Sequence, residues 1–105
     1  MKRVFVSQPM RNISENKILL ARERAREAIS KAYEGEDIIF IDSYFERGKW
    51  GNPIRYLGKS IQKMANADIA YFCEGWRNAR GCWIEHHVAV AYGITVMEEI
   101  EDGDE

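Results

Sequence analysis

The sequence lacks the features on which several classes of small protein depend. Its 105 residues include only two cysteines, Cys73 and Cys82, so at most one bridge could form and a disulfide framework is excluded. No apolar stretch is long enough for a signal peptide or for spanning a bilayer. A net charge of −2 gives no electrostatic reason to expect a nucleic acid as the main partner. These absences favour a cytoplasmic protein with neither a membrane nor a nucleic acid as its partner.

The composition that remains is that of an ordinary globular protein, with 46% hydrophobic and 30% charged residues. A chain of this length can bury one core but not two. No internal repeat divides it. We therefore predict a single domain over residues 1–98, followed by an acidic, frayed tail over residues 99–105.

Short apolar runs alternate with helical patterns along the chain. Strands are predicted at residues 4–6, 37–41, 68–72 and 94–97. Asn12 and Glu15 resemble a capping box at the start of the first helix, and Gly35 lies where that helix would end. A third helix is predicted over residues 80–92. The apolar face of the first helix consists of Ile18, Ala21, Ala25, Ala28, Ile29 and Ala32. That of the second helix consists of Ile54, Leu57, Ile61, Met64 and Ala65.

Strands that alternate with helices imply right-handed crossovers and hence a small, doubly wound α/β domain. We expect a Rossmann-like or flavodoxin-like parallel sheet of four to five strands with helices on both faces. Ligands of such folds bind in the crevice at the carboxyl ends of the strands. Residues 7–10, 42–45 and 73–76 meet there with the turn that enters the third helix. Asp68 begins its strand at the opposite edge, so we expect it to be structural.

Glu85 is the main candidate for chemistry. It lies near the first turn of the third helix, where the positive field of the helix N-terminus favours an ionised carboxylate. It would also face the crevice, and a carboxylate placed there can attack an electrophilic sugar carbon. The alternative is a surface carboxylate that only stabilises the start of the helix.

Cys82 and His86 offer a different chemistry. They are four residues apart and so share a helix face, and a thiol near a helix N-terminus can have a lowered pKa. Such a pair would serve a Cys-His hydrolase or a zinc site, although zinc would need two more ligands from His87, Cys73 or carboxylates. Isolated cysteines and histidines on a helix are more often packing residues.

The loops at the crevice carry both aromatic and polar side chains. The aromatic ones can stack on a nucleobase, cover the core or build a subunit interface: Tyr44, Phe45, Trp50 and Trp76. The polar ones can contact sugar hydroxyls and base edges, or cap strand ends: Ser7, Gln8 and Asp42. Met10 lies in the same loop as Ser7 and Gln8 and is a further candidate for ligand contact. Asp42 is the strongest of these because it is a carboxylate at a strand's carboxyl end.

Three segments together resemble the nucleoside 2-deoxyribosyltransferase-like superfamily, which includes 2'-deoxynucleoside 5'-monophosphate N-glycosidases. The likeness is nearer to a small bacterial and phage branch of that superfamily. It extends over almost the whole chain and rests on Val4-Phe5-Val6-Ser7-Gln8-Pro9-Met10, on Ala67-Asp68, and on the spacing of Gly81, Glu85, Ala89, Ala91 and Gly93. It implies that Glu85 attacks the anomeric carbon of a 2'-deoxyribonucleoside and releases the base. A second base or water would then resolve the glycosyl ester.

Two positions differ from the pattern of that superfamily. Its aspartate on the preceding helix orients the nucleophile and helps to protonate the leaving base, whereas this chain has Ser60, a poor general acid at neutral pH. The monophosphate hydrolases bind phosphate through a serine shortly before the glycine, whereas this chain has Ala79. Arg80 and Gly81 at the helix N-terminus would then hold a phosphate.

The resemblance therefore predicts cleavage or base exchange at the N-glycosidic bond of 2'-deoxyribonucleosides or their 5'-monophosphates. Ser60 would orient Glu85, and no cofactor or metal is needed. A homodimer or larger homo-oligomer is expected, since a neighbouring subunit helps to close the site in that superfamily. Ser60 also favours a second interpretation, a catalytically inactive nucleotide-binding module of the same fold. A third is a protein-interaction domain whose aromatic loops form the interface.

Overall fold

Four parallel strands and three helices make up the part of the chain that the computed structural model describes, residues 1–42 and 51–100. In chain order they are β1 (Lys2–Ser7), α1 (Glu15–Ala32), β2 (Ile38–Phe40), α2 (Pro53–Met64), β3 (Ile69–Phe72), a 3-10 turn (Trp76–Asn78), α3 (Arg80–Ala91) and β4 (Thr95–Glu98). The strands pair in the order β2-β1-β3-β4. The predicted doubly wound α/β fold is confirmed, with four strands in the described residues.

The alternation of side chains along β1 divides the core into two layers. Val4 and Val6 pack with residues of α1 on one face of the sheet. Phe5 packs with residues of α2 and α3 on the other face. Because side chains of a strand point alternately to its two faces, Ser7 lies on the same face as Phe5. The last residue of β1 therefore faces α3.

The strand order explains which helix covers which face. The connection from β1 to β2 runs toward one edge of the sheet. The connections from β2 to β3 and from β3 to β4 run toward the other edge. Right-handed crossovers in opposite directions lie on opposite faces. Hence α1 covers one face alone, while α2 and α3 share the other. After β1 the chain leads to α1 on one face of the sheet, and after β3 it leads to α3 on the other. A crevice is expected at the carboxyl ends of these two strands.

The first helix begins two residues later than the capping-box spacing predicts. Its N-cap is Ser14, whose hydroxyl accepts a hydrogen bond from the backbone N–H of Lys17 at 3.3 Å. The proposed role of Asn12 as the cap is therefore wrong. Asn12 instead adopts a φ of 60°, a left-handed conformation that asparagine tolerates better than most residues. It turns the chain between β1 and α1.

The second helix buries less of its apolar stripe than its periodicity predicts. Met64 is buried, whereas Ile54 is 80% exposed. Because α2 begins at the carboxyl edge of the sheet and runs back beneath it, its first turn has no sheet surface to cover. Asn52 caps this turn through its side chain, and Pro53 occupies the first helical position. Within the described residues, no helix is long and apolar enough to cross a membrane.

The folded domain extends through Glu99, which was predicted to begin the frayed tail. Its backbone N–H donates to the carbonyl of Phe72 at 2.9 Å, and its carboxylate accepts from the backbone N–H of Glu74 at 2.8 Å. The same carboxylate pairs with Arg24 of α1 at 2.9 Å. These contacts hold the loop after β3 to α1. Residues 101–105 lie outside the described part of the chain.

Candidate functional site

A cleft of about 1140 Å³ opens at the carboxyl ends of β1 and β3. The strand order reverses between these two strands, and this is the point at which open α/β sheets bind their ligands. The predicted site residues that line the cleft are Ser7, Gln8, Met10, Ser60, Arg80, Gly81 and Glu85.

Glu85 lies at the floor of this cleft and is only 5% exposed. The hydroxyl of Ser7 donates to its Oε1 at 2.6 Å. A second hydrogen bond joins the Glu85 side chain to that of Ser60 on α2. The two serines belong to different elements, β1 and α2, and each is fixed by the secondary structure that carries it. The carboxylate is therefore held from two directions.

Burial raises the pKa of the Glu85 carboxyl, while the hydrogen bonds from Ser60 and Ser7 lower it by favouring the ionised form. Desolvation is the largest cause, so the pKa lies above its ordinary value. This differs from the expectation that the helix field would favour the anion. Since α3 begins at Arg80, Glu85 lies in its second turn, and the field of a helix terminus declines within the first.

The N-terminus of α3 borders the same cleft. Its capping position is Ala79, whose side chain cannot accept a hydrogen bond from the first-turn N–H groups. Ala79, Arg80 and Gly81 all line the cleft, and Arg80 is exposed. Backbone N–H groups and a guanidinium thus lie at one side of the pocket that ends at Glu85.

The amide of Gln8 is engaged with α1. Its Nε2 donates to the carbonyl of Ile18 at 2.8 Å, and its Oε1 accepts from Arg22 at 2.9 Å. Gln8 borders the cleft and is buried. Its amide therefore fixes the loop after β1 to α1, a role that sequence reasoning did not assign to it.

The structure does not bring every predicted residue to the cleft. Asp42 is exposed at the carboxyl end of β2, and its carbonyl accepts from Lys63 at 2.6 Å. Trp76 is buried, 6% exposed, among core residues of the α2–α3 face. Neither is among the described residues that line the cleft. Tyr44, Phe45 and Trp50 lie outside the described residues.

The side chains of His86 and Cys82 have separate surroundings. The ring of His86 stacks on Trp76, with centroids 3.9 Å apart, and its Nε2 lies 2.7 Å from Glu98. Burial raises the pKa of the Cys82 thiol to about 12, although a hydrogen bond with Ser7 acts against this. Such a thiol is not activated. Among the described residues, no group of histidine, cysteine and carboxylate side chains could hold a metal ion.

Sequence reasoning missed the face that α2 presents to the cleft. Pro53, Tyr56, Leu57 and Ser60 all line it. Their spacing of three, four and seven residues places them on one side of a helix. That spacing is present in the sequence, but the predicted apolar face of α2 includes Ile54 and omits Tyr56. The cleft also includes Arg11, Asn12, Glu74 and Asn78.

Gly75 brings the loop after β3 against the loop after β1. Its φ is +88°, and a Cβ at this position would lie 3.4 Å from Cγ of Pro9. A Gly75→Ala substitution is expected to cost about 1–2 kcal/mol of stability because a left-handed backbone disfavours a side chain. It should also weaken ligand binding, since both loops border the cleft.

Denaturant unfolding and ligand titration of Gly75→Ala measure these two effects separately. Gly35→Ala is the matched control, because Gly35 also has a positive φ, +86°, but a Cβ there would meet nothing within 4 Å. Gly35→Ala should lose similar stability and keep its ligand affinity. Equal affinities for the two variants would contradict a role for the Gly75–Pro9 approach in shaping the cleft.

Comparison with protein-family models, with curated proteins and with solved structures finds no match to this chain.

Proposed function

We propose that this protein cleaves or exchanges the N-glycosidic bond of 2'-deoxyribonucleosides or their 5'-monophosphates, with Glu85 as the nucleophile. One observation carries the proposal: a buried carboxylate, held by Ser7 and Ser60, at the floor of an open cleft. A nucleophile gains most from being desolvated and fixed near its target before the reaction. A carboxylate that only stabilised a helix start would need neither the burial nor the two hydroxyls.

The chemistry follows from the position of the carboxylate. One oxygen of Glu85 forms a bond to the anomeric carbon as the bond from that carbon to the base breaks. Water or a second base then attacks the same carbon and restores the carboxylate. A 2'-deoxy sugar suits this route, because the cationic transition state is less destabilised when no electron-withdrawing hydroxyl is next to the anomeric carbon.

The ligand would lie with its sugar over Glu85 and its 5' end toward α3. Arg80 and Gly81, with the N–H groups of the first turn of α3, would hold a 5'-phosphate when one is present. Met10 would contact the ligand from the loop after β1. Ser7 acts on the nucleophile through its hydrogen bond, and Gln8 fixes the loop in which it lies.

The raised pKa of Glu85 favours a second candidate function. A raised pKa lowers the fraction of the carboxyl that is ionised at a given pH, and only the ionised form is a good nucleophile. Ser60 also cannot act as an acid in place of the aspartate found in the superfamily that the chain resembles. The same cleft would then bind a nucleotide without turning it over. Such a module would be stabilised by its ligand against thermal unfolding but would release no free base.

A cytoplasmic location and a homo-oligomer belong to the same proposal. Both cysteines are free thiols, which suits a reducing compartment. Trp83, Val90 and Tyr92 are exposed apolar side chains on or beside α3, and their exposed fractions are 47%, 60% and 82%. A second copy of the chain would cover such residues.

Chromatography of the free base released from a panel of 2'-deoxynucleosides and their 5'-monophosphates tests the proposal. Each reaction is run with and without a second acceptor base. Release of base supports glycosidase chemistry, and a new nucleoside that forms only with the acceptor identifies a transferase. Thermal stabilisation by a nucleotide without release at high enzyme concentration would favour the binding module. Neither effect on any member of the panel would contradict both.

A further inference from the structure

The leaving base requires a proton that neither serine beside Glu85 can supply. A serine hydroxyl has one hydrogen to donate, and an ionised carboxylate only accepts hydrogen bonds. Ser7 donates to Glu85 Oε1 at 2.6 Å, and the hydrogen bond of Ser60 is also made to Glu85. Both hydroxyls are therefore committed to the nucleophile. A base that departs as an anion leaves slowly, so the donor must be sought elsewhere in the cleft.

Tyr56 lies on the helix face where that donor is needed. It lines the cleft from α2, four residues before Ser60, and the rise of an α-helix separates the two positions by about 6 Å along its axis. In an in-line displacement the base leaves on the side of the anomeric carbon opposite the nucleophile. The position one turn from Ser60, toward the cleft mouth and away from the floor, fits the departing base.

The other proton-bearing side chains of the cleft fit less well. Cys82 forms its hydrogen bond with Ser7, so its thiol lies on the nucleophile side of the reaction. Arg11 and Arg80 remain protonated in proteins and cannot transfer a proton. Glu74 lines the cleft from the loop after β3, but it is exposed and its charge acts on Arg24 of α1. It is the rival that an experiment must test.

We propose that Tyr56 is the general acid and base of this site, an inference that rests on the glycosidase function proposed above. As Glu85 forms its bond to the anomeric carbon, the electron pair of the breaking glycosidic bond moves onto the base. The phenol O–H of Tyr56 gives its proton to a ring nitrogen of the base. The products of this step are the glycosyl ester, the neutral base and a phenolate.

The second step returns the proton. A water molecule enters from the side that the base has left, and its oxygen bonds to the anomeric carbon. The bond from that carbon to Glu85 breaks, and its electron pair restores the carboxylate. The proton of the water passes to the phenolate of Tyr56, so that the same residue acts as acid and then as base, as in retaining glycosidases. In base exchange, the N–H of the second base supplies this proton.

The test compares two substrates that differ in their need for an acid. The base of 2'-deoxyadenosine departs as an anion unless it gains a proton. The base of 7-methyl-2'-deoxyguanosine already carries a positive charge, so it departs as a neutral molecule without an acid. Tyr56→Phe, which removes only the phenol oxygen, should lower base release from 2'-deoxyadenosine about 100-fold. Release from the methylated nucleoside, corrected for its spontaneous rate, should stay within about threefold of the wild-type protein, since general acid catalysis is not used there.

Two further variants complete the experiment. Tyr92→Phe removes a phenol from an exposed position, 82% accessible, at the end of α3, and both substrates should react as in the wild-type protein. Glu74→Gln tests the rival acid and should not selectively lower base release from 2'-deoxyadenosine. A selective loss with Glu74→Gln, an equal loss of both substrates with Tyr56→Phe, or no loss at all would overturn the role of Tyr56. A wild-type protein that releases no base from these two substrates or from any member of the nucleoside and monophosphate panel would overturn the glycosidase function itself.

Discussion

Replacing Glu85 with glutamine is expected to abolish the release of free base from 2'-deoxynucleosides. The amide keeps the shape of the side chain but cannot form the glycosyl ester. The loss should reach at least about 1,000-fold, as is found when the nucleophile of a covalent mechanism is removed. Steady-state chromatography of the released base measures it.

A control substitution at a second glutamate shows whether the loss of base release is specific to Glu85. Glu23 lies exposed on α1 and does not line the cleft, so Glu23→Gln should retain the wild-type rate. Activity of Glu85→Gln within tenfold of the wild-type protein would contradict the nucleophile role. Glu85 would then have to act by binding or by activating water through another group.

The same Glu85→Gln variant should be more stable than the wild-type protein at neutral pH. Because burial raises the pKa of Glu85 in the folded state, the group contributes most stability when it is protonated, below its unfolded pKa. That contribution is lost as the pH rises above the unfolded pKa and through the folded pKa, so the burial of Glu85 costs stability at pH 7. Glutamine cannot ionise in either state, and we expect a gain of about 0.5–2 kcal/mol, the range that single stabilising substitutions commonly give.

Urea unfolding at two pH values separates this gain from a general packing effect. The difference between Glu85→Gln and the wild-type protein should shrink toward pH 4, near the pKa of an unfolded glutamate at about 4.3. Glu23→Gln should show no such pH-dependent gain. A variant that loses activity and stability together at pH 7 would indicate that Glu85 is structural.

The fold was predictable because it depends on periodicity. The buried runs of β1 and β3 and the helical spacing of α1 and α2 are local patterns, and their alternation leaves few topologies open. The convergence of Ser7 and Glu85 follows from the same rules. The last residue of β1 faces α3 by strand alternation, and both lie at the carboxyl edge of the sheet.

The direction of side chains outside regular elements was not predictable from local pattern. Trp76 follows β3 at the edge where ligands bind, yet a 3-10 turn directs its ring into the core against His86. Asp42 also follows a strand, but β2 is the outer strand on the side of the sheet away from β3. Gln8 is held by Ile18 and Arg22 of a helix that comes later in the chain. In each case a tertiary contact decides the outcome.

Ser7→Ala is expected to lower base release about 10- to 100-fold at neutral pH, in line with the loss of a hydrogen bond to a charged group. The hydroxyl of Ser7 favours the ionised form of Glu85, so its removal raises the pKa of that carboxyl further. Because only the anion is nucleophilic, the acid limb of the pH–rate profile should move to higher pH. The defect should therefore be largest at acidic pH and should shrink as the pH rises.

The pH dependence distinguishes this effect from simple damage to the site. Ser30→Ala on the exposed face of α1 is the matched control and should leave the profile unchanged. Ser60→Ala should shift the acid limb in the same direction as Ser7→Ala, because both hydroxyls stabilise the same anion. A uniform loss across the whole pH range would show that Ser7 positions the sugar or the loop after β1. In that case its hydrogen bond to Glu85 would not be what sets the reactivity of the carboxylate.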